Sequence, residues 1–414
     1  MPQQAEERTG RDPGPDLGSH VGPDAPTPDP DQDLPAAVGR ELAHYLARRQ
    51  AQAARGAERF AVDLVRPLTD FVLRGGKRLR PLAVWWGWRA AGGPAHGDRA
   101  AAVLRAAGAV ELLQACALIH DDLMDRSPLR RNAPALHVAF AHRHRAAGLH
   151  GDPERFGLST AVLAGDLALL WAEDLWQEAG LAPDARERAR QPWREMRSEM
   201  VAGQYLDLYR QAEGNESAVA ALRVASLKSA RYTMERPLQL GAALAGAGPP
   251  VTAALRRAGR CLGLAFQLRD DLLSVYGTPA QTGKPAGEDV REGKRTYLMA
   301  VALRLAREQG RPTAESVLRE ALGDPRLSPA ALERVRTVLT DLGAPARVEE
   351  HIRRLTDRAL HTLRQAPLPP PAGDRLVELA RGLTAPPGTG GAQPPPGHPT
   401  GCPRPGPAAE GEAR

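Results

Sequence analysis

The middle of the chain is patterned for helices almost without interruption. Between residues 35 and 384, apolar residues recur at spacings of three and four, Ala, Leu, Arg and Glu dominate, and clusters of Gly or Pro separate the runs. Alternating runs typical of β-strands are scarce. The pattern predicts an all-α domain without an internal linker. A bundle of helices offers a natural place for a cavity between its facing members.

The two ends of the chain differ from this middle. Residues 1–34 are rich in Pro, Gly, Asp and Gln, and residues 385–414 are rich in Pro and Gly without a repeat. Such segments bury too little apolar surface to fold, so we expect disordered tails on either side of one helical domain, residues 35–384. The predicted helices cover residues 37–55, 58–73, 79–91, 97–124, 133–146, 158–179, 184–210, 216–243, 250–276, 295–309, 313–322, 328–341, 345–364 and 373–383.

Composition excludes several classes of protein. The net charge of +6 comes from basic residues scattered through the helices with few aromatic residues between them, which does not indicate nucleic-acid binding. Cys116, Cys261 and Cys402 show no metal-ligand spacing, and a reducing cytoplasm is expected. The N-terminus lacks a basic-then-apolar signal, and we expect no run that approaches the roughly 20 apolar residues of a membrane span.

An apolar helical run, residues 111–125, ends in the acidic sequence DDLMD. On a helix Asp121 and Asp125 share a face, and Asp122 lies about 100° around the axis. Carboxylates this close repel one another at the helix end that disfavours anions, unless a cation offsets them. Oxygen ligands suit Mg²⁺. A solvated acidic helix end is the alternative, and this motif alone does not decide between the two.

A second apolar helix, GLAFQLRDDLLSVYG at residues 263–277, also closes in acids. Here Gln267, Asp270, Asp271 and Ser274 fall at spacings of three and four and share one face. If the two acidic helix ends face one another, Mg²⁺ ions can bridge them through a polyanionic ligand. Cations for such a ligand are available nearby, and each one alone would be a surface charge: Lys77, Arg78, Arg80, Arg130, Arg131, Lys228, Lys284 and Lys294.

These motifs together resemble one family, the trans-isoprenyl diphosphate synthases, also called polyprenyl synthetases. GGKRLRP is similar to the family's GGKRxRP, and DDLMDRSPLRRNAPALH to its DDxxDxxxxRRGxPxxH. GQYLD, KSARYT, GLAFQLRDDLL and VREGKRT resemble further motifs in the family's order, and the resemblance spans about residues 70–300. The DDxxD alone is weak evidence, whereas the ordered set is specific.

The resemblance implies a fold and a reaction. The fold would be the isoprenoid synthase type, a helix bundle around a deep central cavity with a catalytic mouth and an apolar shaft. Metal would lie between Asp121, Asp122 and Asp125 on one side and Asp270 and Asp271 on the other. An allylic diphosphate would ionise there, and isopentenyl diphosphate would attack the cation. The catalytic residues implied are Asp121, Asp122, Lys228 and Asp270.

The resemblance also assigns the two diphosphates. It implies that isopentenyl diphosphate is held by Lys77, Arg80, Gln114 and Arg131. It implies that the allylic diphosphate is held by Arg130, Lys228, Gln267, Lys284 and Lys294. Gln114 lies seven residues before Asp121, two turns along the same face, so it can look into the same cavity. Family habit suggests a homodimer.

Product length is expected to depend on Cys116 and Ala117. They lie five and four residues before DDLMD, about 6–7.5 Å below the metal end of the helix. Bulky aromatic residues there would form a floor, as in short-product members of the family. Because both are small, we expect a product of C20, geranylgeranyl diphosphate, or longer. Small residues here would also suit helix packing, with a floor supplied by another helix.

Three positions depart from the family pattern: Asn132 replaces a Gly, Ser274 replaces the third acid of the second motif, and Thr278 replaces an Asp. Asn tolerates a left-handed turn, so the loop is expected to persist. Three other functions stay open: a non-catalytic partner subunit of another prenyl synthase, a terpene cyclase, and a prenyltransferase with a non-isoprenoid acceptor. A cyclase needs no second diphosphate site, so GGKRLRP and Arg131 argue against it.

Overall fold

Helices make up nearly all the regular structure in the residues described by this computed structural model, 29–282 and 285–385. They are α1 Leu34–Gly56, α2 Glu58–Phe60, α3 Arg66–Leu73, α4 Leu79–Ala90, α5 Asp98–Met124, α6 Leu136–Ala146, α7 Pro153–Glu178, α8 Pro183–Glu213, α9 Ala218–Val224, α10 Arg236–Ala245, α11 Pro249–Tyr276, α12 Pro279–Thr282, α13 Glu288–Arg291, α14 Tyr297–Glu308, α15 Pro312–Ala321, α16 Pro329–Asp341, α17 Ala344–Gln365 and α18 Ala372–Thr384. The all-α prediction is confirmed. Residues 1–28 and 386–414, most of the two predicted tails, lie outside the described residues.

Helix starts follow local capping chemistry. The side chain of Asp33 accepts a hydrogen bond from the Ala36 N–H at the start of α1, and Thr296 does the same for Met299 at the start of α14. Helix α7 begins five residues earlier than predicted, because Asp152 caps it and Pro153 is tolerated in a first turn. The ordered structure begins before residue 35: Asp31 accepts hydrogen bonds from Trp85 and Arg89 of α4, and α1 itself begins at Leu34.

Two of the predicted helices contain π-helical segments. Ala61–Val65 joins α2 to α3, and Ala225–Glu235 joins α9 to α10. A π segment changes the direction in which side chains leave the helix, and such segments are frequent at functional sites. The second one carries Lys228.

The predicted helix 133–146 is wrong at its start. Leu129–Arg130 and Ala133–Pro134 pair as a two-stranded antiparallel hairpin, and α6 begins only at Leu136. The two turn residues, Arg131 and Asn132, have φ values of 54° and 59°, as a type I′ turn requires. The left-handed conformation expected for Asn132 is therefore confirmed, and Arg131 shares it.

The core places the two acidic helix ends at one cavity. Helix α5 runs through the larger apolar cluster, where Leu112 and Leu113 are fully buried, and packs mainly on α7. Helix α11 packs on the segment Ala225–Glu235 and on α17. Its C-terminal half belongs to a second cluster with α14 to α17. Each long helix is thus held by its own apolar neighbours.

Two helices come closer to the length and composition of a membrane span than expected from the sequence. Two helices, α5 and α7, are long and apolar enough to cross a membrane by length and composition. The apolar window of α5 is 83% buried inside the protein, which is the environment of a core helix. The corresponding window of α7 is 39% buried, so much of its apolar surface is exposed.

Candidate active site

One large cavity, of about 1540 Å³, lies between α5, α7, α8, α11 and the segment Ala225–Glu235. It brings together most of the residues predicted from the motifs: Lys77, Arg80, Gln114, Cys116, Ala117, Asp121, Arg130, Arg131, Lys228, Gln267, Asp270, Asp271 and Lys294. Asp122 and Asp125 lie behind this surface. Lys284 lies outside the described residues.

Asp121 is the point at which three helical segments meet. The Lys228 ammonium donates to Asp121 Oδ1 at 3.0 Å and to Asp207 Oδ2 at 2.9 Å. Burial alone would raise the pKa of Asp121, but the cations Lys228, Lys294 and Arg130 hold that pKa well below its usual range. Asp121 therefore remains a carboxylate throughout the neutral pH range.

A glycine lets α8 approach closely enough for this contact. A Cβ atom on Gly203 would lie 2.4 Å from the backbone nitrogen of Lys228. Any larger residue would push α8 away from the π-helical segment and separate Asp207 from Lys228.

Asp122 is turned away from the cavity and held by Arg130. The Nε of Arg130 donates to Asp122 Oδ1 at 2.9 Å and to Oδ2 at 3.1 Å, and Nη2 also bonds Oδ1. The Asp122 side chain is only 2% exposed. The same guanidinium reaches Asp121 Oδ2 at 3.4 Å. Arg130 therefore fixes the end of α5, in addition to lining the cavity.

Asp125 is held by Lys294, from the loop that follows α13. The Lys294 ammonium lies 2.7 Å from Asp125 Oδ2, 2.7 Å from Glu292 Oε2 and 3.5 Å from Asp289 Oδ1. Burial and the neighbouring Asp121 raise the pKa of Asp125. Lys294 thus links the first acidic motif to the loop beyond the second one.

The second acidic pair, Asp270 and Asp271, lies in a less compensated environment. Burial raises the pKa of each to about 7, although Lys77 lowers that of Asp270 and a hydrogen bond from Gln267 lowers that of Asp271. The carboxylate of Asp289 raises the pKa of both. A half-buried and a buried carboxylate that lie side by side in this way favour a bound cation.

A basic pocket adjoins the two acidic pairs. Arg80 donates to Thr233 Oγ1 at 2.8 Å and lies 4.4 Å over the Tyr232 ring, and burial lowers its pKa. Arg131 packs on Gly76, and burial lowers its pKa as well. Gln114 is 9% exposed and lines the same wall. These side chains present hydrogen-bond donors to the cavity beside the two acidic pairs.

Three residues that sequence reasoning missed belong to this site. Asp207 anchors Lys228, Asp289 adds charge beside the second acidic pair, and Glu111 is a buried carboxylate among arginines at the basic pocket. Asp207 could have been predicted from the sequence, because it is the acidic residue of the GQYLD motif. Glu111 lies in an apolar run one turn before Gln114, and its spacing alone carries no functional signal.

The residues present fit a hard divalent cation. Asp121, Asp270 and Asp271 offer only oxygen donors to the cavity, which is the ligand type of Mg²⁺. Within residues 29–282 and 285–385, no three acidic, His or Cys side chains converge as a ready metal cage. Magnesium is commonly held by one or two carboxylates together with the phosphates of a ligand. The arrangement suits a metal that binds with its phosphate ligand.

The metal-free protein offers a test of the second acidic pair. Because the folded-state pKa of about 7 at Asp270 and Asp271 lies above the roughly 3.9 of a free Asp, the folded state binds more protons between these values. Their contribution to the free energy of unfolding should rise as pH falls from 7 towards 4, and be lost as pH rises through 7. Urea unfolding in EDTA at pH 5 and pH 8 measures this. The variant Asp270→Asn/Asp271→Asn should lack this component, and an unchanged pH dependence would contradict it.

The helical fold and the cavity that joins two acidic helix ends to a basic pocket form the arrangement expected from the motifs. A model of the polyprenyl synthetase family matches residues 62–336. The chain belongs to the polyprenyl synthetase family.

Individual relatives agree with this. A geranylfarnesyl diphosphate synthase from Aeropyrum pernix is 31% identical over 74% of this chain and 88% of the relative. Geranylgeranyl pyrophosphate synthase 11 from Arabidopsis thaliana is 35% identical over 66% of this chain and 73% of the relative. A Corynebacterium glutamicum geranylgeranyl pyrophosphate synthase, solved with isoprenyl diphosphate and magnesium, is 44% identical. Its TM-score is 0.81 over 86% of this chain and 99% of that one.

Proposed function

We propose that this protein condenses isopentenyl diphosphate with an allylic diphosphate to give an all-trans polyprenyl diphosphate, geranylgeranyl diphosphate (C20). The observation that carries the proposal is the shared cavity, which joins two acidic helix ends, a separate basic pocket and an apolar shaft. The similarity to the Corynebacterium glutamicum geranylgeranyl pyrophosphate synthase supports the same product.

In the proposed reaction the protein binds, orients and stabilises charge. Bound Mg²⁺ supplies positive charge that stabilises the departing diphosphate. Lys228, Lys294 and Gln267 hold the allylic diphosphate at the acidic helix ends, together with Lys284 by resemblance. Loss of the diphosphate leaves an allylic cation, which needs no protein nucleophile.

The second substrate occupies the basic pocket. Lys77, Arg80, Arg131 and Gln114 hold isopentenyl diphosphate so that its double bond faces the cation. A new carbon–carbon bond forms, and the proton lost from the isopentenyl unit leaves with the released diphosphate. The product is one unit longer, and its apolar tail extends down the shaft.

The first experiment is an elongation assay. Purified protein is incubated with Mg²⁺, isopentenyl diphosphate and, in turn, dimethylallyl, geranyl or farnesyl diphosphate, and product length is measured by mass spectrometry. A linear C20 diphosphate is expected, and none should form in EDTA. No elongation of any primer by folded protein would favour a regulatory subunit. In a parallel reaction that contains non-isoprenoid acceptors, a prenylated acceptor without elongation would favour a prenyltransferase with a non-isoprenoid acceptor.

Ala117 tests whether the shaft is open at its upper end. Cys116 and Ala117 both line the cavity, and both are small. Ala117→Phe should place a ring across the shaft about 6 Å below Asp121 and shift the product towards C15. Product length is measured by mass spectrometry. Ala115→Phe is not a suitable control, because Ala115 is buried in the core and a ring there would disturb packing. Ala117→Ser is the matched control and should leave the product length unchanged. If Ala117→Phe also leaves the product length unchanged, residue 117 does not influence how far the chain elongates.

We propose that the protein works as a homodimer in the cytoplasm. The support is the exposed apolar face of α7, on which Leu163 is 59% exposed. Phe156 and Val162 extend the same face. A contiguous apolar surface of this kind on a folded domain marks an interaction site. The two cysteines within the described residues are free, which suits a reducing compartment.

Leu163→Glu should break this dimer. A charge introduced at the centre of an apolar interface removes burial and adds a desolvation cost, so the dimer dissociation constant should rise on the order of 30-fold or more. Sedimentation velocity across a concentration series is the measurement. Val219→Glu, at a 79% exposed position on α9, is the control and should leave the mass unchanged. A monomeric wild type would refute the dimer.

A further inference from the structure

A pair of charged side chains lines the shaft below the acidic helix ends. Glu173 on α7 and Arg197 on α8 both line the cavity, and Glu173 Oε2 lies 2.5 Å from Arg197 Nη1. Trp193 Nε1 donates to the same oxygen at 3.0 Å, and the Arg197 guanidinium lies 4.9 Å over the Trp193 ring. Gln177 donates to the other carboxylate oxygen. The pair is therefore fixed from several sides.

The depth of this pair follows from α7, which runs antiparallel to α5. Gly165 lies against His120, next to Asp121, and Leu175 lies against Gly108. Moving along α7 from Gly165 towards its C-terminus thus leads away from the acidic end of α5. Glu173 is eight residues beyond Gly165, which places it about 12 Å down the shaft.

Helix α8 gives an independent depth for the other partner. Asp207 marks the level of the acidic end, because it shares Lys228 with Asp121. Arg197 precedes Asp207 by ten residues, which places it about 15 Å away along the helix. The two depths, about 12 and 15 Å, are similar, so the ion pair lines the shaft roughly 12–15 Å below the acidic end.

The walls between the acidic end and the pair do not obstruct a chain. Cys116 and Ala117 on α5 are small, and Leu113, Leu169 and Met200 complete an apolar surface. At about 1.5 Å per carbon–carbon bond, an extended isoprene unit of four main-chain bonds spans roughly 5 Å once its zigzag is allowed for. The shaft therefore holds about three units above the pair, with a fourth at the level of the acidic residues.

We propose that the Glu173–Arg197 ion pair is the floor that stops elongation at C20. This inference rests on the proposed function and names the residues that set its product length. Another isoprene unit would have to displace the pair or strip it of water. An apolar tail offers no hydrogen bonds in return, and separated charges against hydrocarbon are strongly disfavoured. The floor thus comes from α7 and α8, whereas the residues before DDLMD only leave the shaft open.

The test is to remove the pair and measure product length. In Glu173→Ala/Arg197→Ala the ratio of C25 and longer products to C20 should rise at least about tenfold with farnesyl diphosphate as primer. The pair is partly solvated, with side chains 38% and 31% exposed, so its loss should leave the fold intact. Circular dichroism and thermal unfolding confirm folding before the assay. An active double variant with the wild-type product distribution would overturn the inference.

Three further variants make the result specific. Glu173→Ala alone leaves Arg197 stacked on Trp193, and it should lengthen the product to a smaller extent. Its unchanged length would also count against the floor. Glu173→Gln keeps the size and an acceptor for Trp193, so its product should stay at C20, and a longer product would overturn the inference. Glu178→Ala removes another α7 ion pair, with Arg49 at 2.6 Å and away from the cavity, and should change nothing.

The assay distinguishes failure of the proposed elongation activity from failure of the Glu173–Arg197 floor. Wild-type protein that elongates no primer would overturn the proposed function and this inference together. Wild-type protein that makes C20, with variants that do so too, would overturn only the floor.

Discussion

Replacing Asp121 by asparagine is expected to lower kcat/KM for elongation about a thousandfold or more, with the protein still folded. The substitution keeps the shape of the side chain and removes one negative charge from the point where α5, α8 and Lys228 meet. A metal bound there would lose a carboxylate ligand. The allylic diphosphate would then leave against a site with less positive charge around it.

The structure also explains why folding should survive this change. Lys228 would retain Asp207 at 2.9 Å, and Arg130 would retain Asp122. Elongation measured with labelled isopentenyl diphosphate across a Mg²⁺ titration separates a lost affinity for metal from a lost rate. Asp98→Asn, at the exposed opposite end of the same helix, is the control. A loss smaller than tenfold would mean that Asp121 does not stabilise the leaving group.

The chemistry of the site was largely predictable because it lies in short, ordered motifs. Asp121, Asp270 and the basic residues of GGKRLRP were identified from their own segments, and the cavity joins them. The helical architecture was equally accessible, since a periodic apolar pattern and a capping residue such as Asp152 act within a few residues.

The pairing of charges was not predictable in the same way. Which lysine meets which aspartate depends on how α5, α8 and the segment Ala225–Glu235 approach each other, and no local spacing encodes that distance. Asp289, in the short helix α13, lies beside the second acidic pair, close to Ser274, which stands where the family motif has its third acid. The backbone N–H of Asp289 is 3.4 Å from Ser274 Oγ, so the two positions are adjacent only in three dimensions.

Two further features of the structure, the hairpin and the Glu173–Arg197 pair, also depend on contacts that local sequence patterns do not encode. The strands Leu129–Arg130 and Ala133–Pro134 are too short to show an alternating apolar pattern. Their turn requires the left-handed backbone conformation at two residues that are not glycine. The floor of the shaft joins Glu173 to Arg197 across two helices, each of which shows these residues only as ordinary helical charges. Long-range geometry, rather than sequence periodicity, decides both.

The adjacent arginines of the hairpin provide the second large prediction. Arg130→Ala should lower the free energy of unfolding by about 3 kcal/mol, because it leaves the buried Asp122 carboxylate without its guanidinium. Arg131→Ala should change stability by less than about 1 kcal/mol, since Arg131 has the Phe71 ring and Gly76 as neighbours and burial lowers its pKa. Urea unfolding of metal-free protein measures both variants.

Substrate binding should depend on Arg131, although stability depends mainly on Arg130. In Arg131→Ala the KM for isopentenyl diphosphate should rise on the order of tenfold or more, because a charge-assisted contact to its diphosphate is lost. The double variant Asp122→Asn/Arg130→Ala should regain part of the lost stability, because the amide does not carry the buried negative charge that the guanidinium offsets. Equal stability loss in the two single variants, or no recovery in the double variant, would refute the assignment of a structural role to Arg130 and a substrate-binding role to Arg131. Arg130 would then act chiefly on substrate, and the end of α5 would owe its position to packing alone.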